Sequence, residues 1–114
     1  MSENIETIKQ IRNLIRSEDL KSLEEIFIEA PELLRIKTVF GTWLHDASRL
    51  GMPKVVNLLV KLGIDVNEIG GTFNSNALKT AASAGNLEIV DFLLASGSKM
   101  DVSEPDRNPL FSAI

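Results

Sequence analysis

Apolar positions recur along this chain at the spacing of amphipathic helices. Ile5, Ile8, Ile11, Leu14 and Ile15 fall mostly three or four residues apart, and Leu20, Leu23, Ile26 and Phe27 do the same before Pro31. Each set lines one side of a helix turning every 3.6 residues. Val55, Val56, Leu58, Leu59 and Leu62 form a broader stripe, and Ile89, Val90, Phe92, Leu93 and Leu94 form another. Before each of these stripes stands a short pair, Leu44 with Ala47 and Leu78 with Ala81, in which alanine lets two helices approach closely. The pattern predicts helix pairs at about 5–16 with 19–29, 42–50 with 53–62, and 76–84 with 87–96, plus one further helix starting near 108.

The punctuation agrees with that reading. Gly51 and Gly85 follow the first helices of the second and third pairs, where a terminating residue with positive φ is easiest for glycine. Pro53 suits the first turn of a helix, where its missing N–H has no partner to lose. Gly63 and Gly97 close the second helices, and the segments 64–67 and 98–101 are expected to run extended into turns at 70–72 and 103–106.

These signals repeat. At a shift of 34 residues Leu44 meets Leu78, Ala47 meets Ala81, Gly51 meets Gly85, Val56 meets Val90, Leu59 meets Leu93 and Gly63 meets Gly97. A period of this length marks stacked supersecondary units. One domain over residues 1–114 is expected, divided into an N-terminal cap unit at 1–37, units at 38–70 and 71–103, and an incomplete unit at 104–114.

The same residues resemble the ankyrin repeat, whose unit of about 33 residues opens on Thr-Pro-Leu-His-x-Ala. Thr42-Trp-Leu-His-Asp-Ala47 departs from it only at Trp43, Asn76-Ala-Leu-Lys-Thr-Ala81 keeps Leu78 and Ala81, and Asn108-Pro-Leu-Phe-Ser-Ala113 keeps Pro109, Leu110 and Ala113. Gly63-Ile-Asp-Val-Asn67 and Gly85-Asn-Leu-Glu-Ile-Val90 are similar to the family's unit ending and second-helix opening. The resemblance is clear over about 38–114 and reaches 1–37 only as a helix pair in register. It implies an all-α, ankyrin-like helical repeat solenoid, with helix pairs joined by hairpin-like loops. It also implies that His45 has a structural part in fixing the turn below its helix.

Composition narrows the chemistry. The 114 residues carry 12 Lys+Arg and 16 Asp+Glu, a net charge of −4, with one histidine and no cysteine. Thiol chemistry and a multi-histidine metal site within one chain are therefore excluded. The acidic balance and scattered cations disfavour nucleic acid. No apolar run approaches the roughly 20 residues that span a bilayer. Met1-Ser2-Glu3-Asn4 does not open a signal peptide, so a cytoplasmic protein is expected. Gly70-Gly71 lacks the Lys-Ser/Thr of a phosphate loop, and Ser48, Ser83 and Ser112 have no basic partner at useful spacing. No cofactor and no enzyme activity is expected.

What remains is binding. Phe40 and Phe73 fall at matching loop tips, where side chains are normally polar; either neighbouring tips bury them, or they stand exposed and anchor a partner. Trp43 either faces a partner or covers the N-terminal cap. The resemblance implies that partners are gripped at the tips and along the inner helices. Carried over position by position, this gives Phe40, Asn74, Phe73, Glu104, Asp106 and Arg107 at the tips, and Asp46 and Arg49 on the inner helix. Asp46 is expected to turn outward from Leu44 and Ala47, toward the groove. The expected function is non-catalytic binding of a protein partner. Two alternatives are an inhibitor or immunity protein neutralising a cognate toxin, and a scaffold or self-associating repeat fragment. The last rests on Leu110, Phe111 and Ile114, apolar residues of a unit with no second helix, which also suggest a piece of a longer repeat protein.

Overall fold

The computed structural model describes residues 2–71 and 74–98. Helix α1 (Ser2–Arg16) pairs with α2 (Leu20–Glu29), α3 (Trp43–Leu50) with α4 (Pro53–Lys61), and α5 (Ala77–Ser83) with α6 (Leu87–Ala95). Every expected pair is present, with ends shifted by at most three residues. The helix expected near 108 lies outside the described residues.

Local chemistry sets the boundaries. Asp19 caps α2 by accepting from the Ser22 amide at 3.2 Å, and Asn76 caps α5 by accepting from the Lys79 amide at 3.2 Å. Pro53 opens α4, and Gly51 ends α3 at φ 73°, the left-handed conformation its position implied. One element was not expected: a 3-10 helix over Pro31–Arg35, which tucks Leu34 into the core. The segment after Gly63 forms no strand. It turns at Val66–Asn67, where the Asp65 carboxylate accepts from the Asn67 amide at 2.9 Å.

The periodic residues make the core. Ile11, Ile15, Leu23 and Phe27 of the first pair, Leu44, Ala47, Val55, Val56 and Leu59 of the second, and Leu78, Ala81, Ile89 and Leu93 of the third form one buried cluster. Inner helices α1, α3 and α5 stack side by side, as do outer helices α2, α4 and α6. Burying each large aliphatic side chain contributes about 1.5–3 kcal/mol.

Two tight hairpin-like tips project from the helix layers. Thr38 and Gly41 exchange two backbone hydrogen bonds of 2.9 Å around Val39 and Phe40. Gly70 and Ser75 do so at 3.0 and 3.2 Å. Further bonds tie one unit to the next: Asn86 Nδ2 donates to the Ser48 carbonyl at 2.6 Å, and Ser98 Oγ to the Val66 carbonyl at 3.1 Å. Among the described residues no helix is long and apolar enough to cross a membrane.

Candidate functional site

The first tip is held from below by His45. The Thr42 amide donates to His45 Nδ1 at 3.0 Å, and Thr42 Oγ1 accepts from the Leu44 amide at 3.2 Å, which together cap α3. With Nδ1 accepting, the ring proton sits on Nε2, which donates to the Ser75 carbonyl at 2.8 Å. One neutral imidazole thus fixes its own turn and fastens it to the following tip. Burial is the main force lowering the His45 pKa below its usual 6.5, and the Lys37 charge adds to it. The Ser75 hydrogen bond and the carboxylates of Asp46 and Glu68 act in the opposite direction.

The tips approach each other through glycines. At Gly41, φ is 96°, and a Cβ would lie 2.5 Å from His45 Cγ, so neither backbone nor space admits a side chain. A Cβ on Gly70 would reach Gly41 Cα at 3.2 Å. Lys37 and Glu68, paired at 2.9 Å, lie exposed beside the same junction.

Above this base stands a charged clasp. Asp46 Oδ2 accepts from Arg12 Nε and Nη2, each at 3.2 Å, and Asp46 Oδ1 accepts from Arg49 Nη1 at 3.0 Å. Both guanidinium groups also lie against the Phe40 ring, Arg12 at 5.2 Å and Arg49 at 5.5 Å from its centre. Thr38 Oγ1 accepts from the Phe40 amide at 3.1 Å, which sets the direction of the tip. Phe40 remains 46% exposed and its neighbour Val39 83% exposed. The structure therefore presents an apolar tip resting on two arginines.

One expected placement, that of Asp46, is corrected, and of the two placements open to Trp43 the structure takes the buried one. Asp46 is 0% exposed, because α1 covers the side of α3 that would otherwise be open and Arg12 draws the carboxylate inward. Trp43 is 1% exposed: its indole N–H donates to the Leu33 carbonyl at 2.8 Å, and Arg12 lies 5.8 Å from its ring. It covers the N-terminal cap rather than facing outward. Phe40 and Arg49 are brought together at the surface. Asn74 is exposed at the second tip with φ 48°. Phe73, Glu104, Asp106, Arg107, Leu110, Phe111 and Ile114 lie outside the described residues.

Arg12 is the residue that sequence reasoning missed. Its signal was the repeat itself: Arg12 stands 34 residues before Asp46, the same shift that relates the later units. Among the described residues no group of His, Asp and Glu is arranged to hold a metal ion. A shallow depression between the 3-10 helix and the end of α4 is lined by Leu34, Arg35, Lys37, Ile64, Asp65 and Glu68, a mixture without a convergent polar set.

Comparison with known proteins agrees with the geometry. The family model for ankyrin repeats (3 copies) matches residues 44–114. A stretch of 61 residues, 54% of the chain, is 39% identical to part of the protein named Palmitoyltransferase AKR1 of Lachancea kluyveri. The match spans 8% of that protein's length.

Proposed function

The chain belongs to the ankyrin-repeat family, whose repeats in general bind protein partners and are typically non-catalytic, and from that premise we propose that it is a protein-binding module whose partner seats on the first hairpin tip and the adjoining face of α1 and α3. The observation that carries this reading is Phe40: a large aromatic, nearly half exposed, held in one position by two arginines and by its own hairpin. A preset aromatic contributes contact area at little ordering cost on binding. Val39 widens the apolar patch, and the exposed head of Arg49 borders it. Asp46 and Trp43 act beneath the surface, by holding Arg12 and the cap in place. Asn74 extends the same row of tips.

The test is capture of partners from a lysate of the source cells by immobilised protein, with a Val39→Ser, Phe40→Ala variant on a parallel column. Both changes keep the backbone bonds of the hairpin, so the variant should keep the parent's circular dichroism and lose only the contacts of Phe40 with Arg12 and Arg49, about 1 kcal/mol of stability. A protein retained by the parent and lost from the folded variant supports the reading. Equal retention by both would place the binding surface elsewhere.

A further inference from the structure

The face around Phe40 carries cations that no acid among the described residues pairs. Lys9, Arg12 and Arg16 are three and four residues apart and lie along one stripe of α1. Arg12 joins that stripe to Asp46 and Arg49 on α3. Lys9 and Arg16 are exposed, one helical turn to either side of it. The described acids near this stripe are Glu6 on its flank, Glu18 and Asp19 just past Arg16, and buried Asp46; Asp19 is engaged in capping α2, and Asp46 already accepts from both arginines. Among the described residues Lys9 and Arg16 form no ion pair, so their charged heads and the outer N–H groups of Arg49 are open to a ligand. The compensating acids gather elsewhere: Glu25 and Glu29 on α2 and Glu32 at the start of the 3-10 helix are all exposed. Apolar surface runs along the basic stripe as well, with Ile5 one turn before Lys9 and with Phe40 and Val39 at the tip.

Resting on the protein-binding reading above, we infer that the partner presents an acidic segment with an apolar or aromatic anchor. Its carboxylates meet Lys9, Arg16 and the outer N–H groups of Arg49, and its anchor covers Phe40 and Val39. Charge separation of this kind draws an acidic segment to this face and repels it from α2, so it sets orientation and association rate as well as affinity.

The experiment selects binders from a displayed library of short random peptides on the immobilised full chain. Their affinities are then measured against the parent, against Lys9→Glu/Arg16→Glu, and against Phe40→Ala. Lys9 and Arg16 are exposed and stand outside the Asp46 clasp, so the charge-reversed variant should fold with the parent's circular dichroism, its stability lowered by about 1 kcal/mol through the acid placed in the last turn of α1 and beside Glu6. The expected result is enrichment of net-acidic sequences with an aromatic or large aliphatic residue. Their affinity should fall by about tenfold or more in the charge-reversed variant at low salt, and the gap should narrow as salt is added. Enriched peptides that are neutral or basic, yet lose affinity on Phe40→Ala, would overturn the acidic inference while leaving the binding face intact. Peptides indifferent to both variants would overturn the face as well. Failure to enrich any binder would refute a linear acidic segment as the ligand.

Discussion

His45 and Asp46 are adjacent, buried and polar, and both nitrogens of the one and both oxygens of the other are hydrogen-bonded. For His45 the neutral form is required, because a proton on Nδ1 would confront the Thr42 amide that now donates to it. The folded-state pKa is lowered, chiefly by burial, so the unfolded chain takes up a proton first as pH falls. The contribution of His45 is thus complete above the unfolded value near 6.5 and is lost progressively below it. One proton corresponds to a slope of up to about 1.4 kcal/mol per pH unit in that window. Urea unfolding of the parent and of His45→Gln should diverge in pH dependence below about pH 6.5, the parent falling more steeply. Parallel curves would mean that His45 stays uncharged in the unfolded chain or is not buried. Asp46→Asn keeps the shape and removes the charge shared by two arginines. Because Arg12 and Arg49 are partly exposed, the cost should be about 2 kcal/mol rather than that of a fully buried pair. Ser48 gives the opposite case: its hydroxyl is buried without a hydrogen-bond partner among the described residues, and Ala82 stands at the matching place in the next unit. Ser48→Ala should leave the unfolding midpoint unchanged or raise it, by up to about 1 kcal/mol.

The tip hairpin is the element on which the account depends, and it tolerates little change at its base. Gly41→Ala must place a methyl group against the imidazole at a positive φ. A loss of about 2 kcal/mol or more is expected in thermal or urea unfolding. A near-neutral result would show that the tip can relax away from His45. The elements themselves were largely legible in the sequence. Helix ends followed from Gly51, Pro53, Gly63 and Gly85, whose backbone preferences act locally. The 3-10 helix was not legible, because Pro31-Glu-Leu-Leu-Arg35 is too short to show a period and is fixed by Leu34 reaching the core. The orientation of Asp46 was misread for a related reason. A single helix viewed alone leaves that side open, and only the stacking of α1 on α3 closes it. The exposure of Phe40 could be suspected from its place in a turn, but its support by Arg12 required two units to be seen in register.

Across the whole molecule, stability is built from contacts between neighbouring units, and those contacts are polar as well as apolar. His45 with Ser75, Asn86 with Ser48, and Asn67 with the Gly97 carbonyl at 3.2 Å each join one unit to the next. Units joined in this way should unfold together. Trp43, the one tryptophan, reports on the junction of α1, the 3-10 helix and α3, whereas far-ultraviolet circular dichroism reports on every helix. The two signals should give coincident urea transitions. Separate transitions would show that the N-terminal cap melts independently of the later units. The central claim, that partners seat on the inner face around Phe40, is tested most directly by crosslinking. A photoreactive amino acid would be placed in turn at Phe40 and at Ile28, which is exposed on outer helix α2. After irradiation in cells, a discrete adduct with a partner protein is expected from position 40 and none with that partner from position 28. Adducts from position 28 alone, or the same adduct from both positions, would contradict the claim.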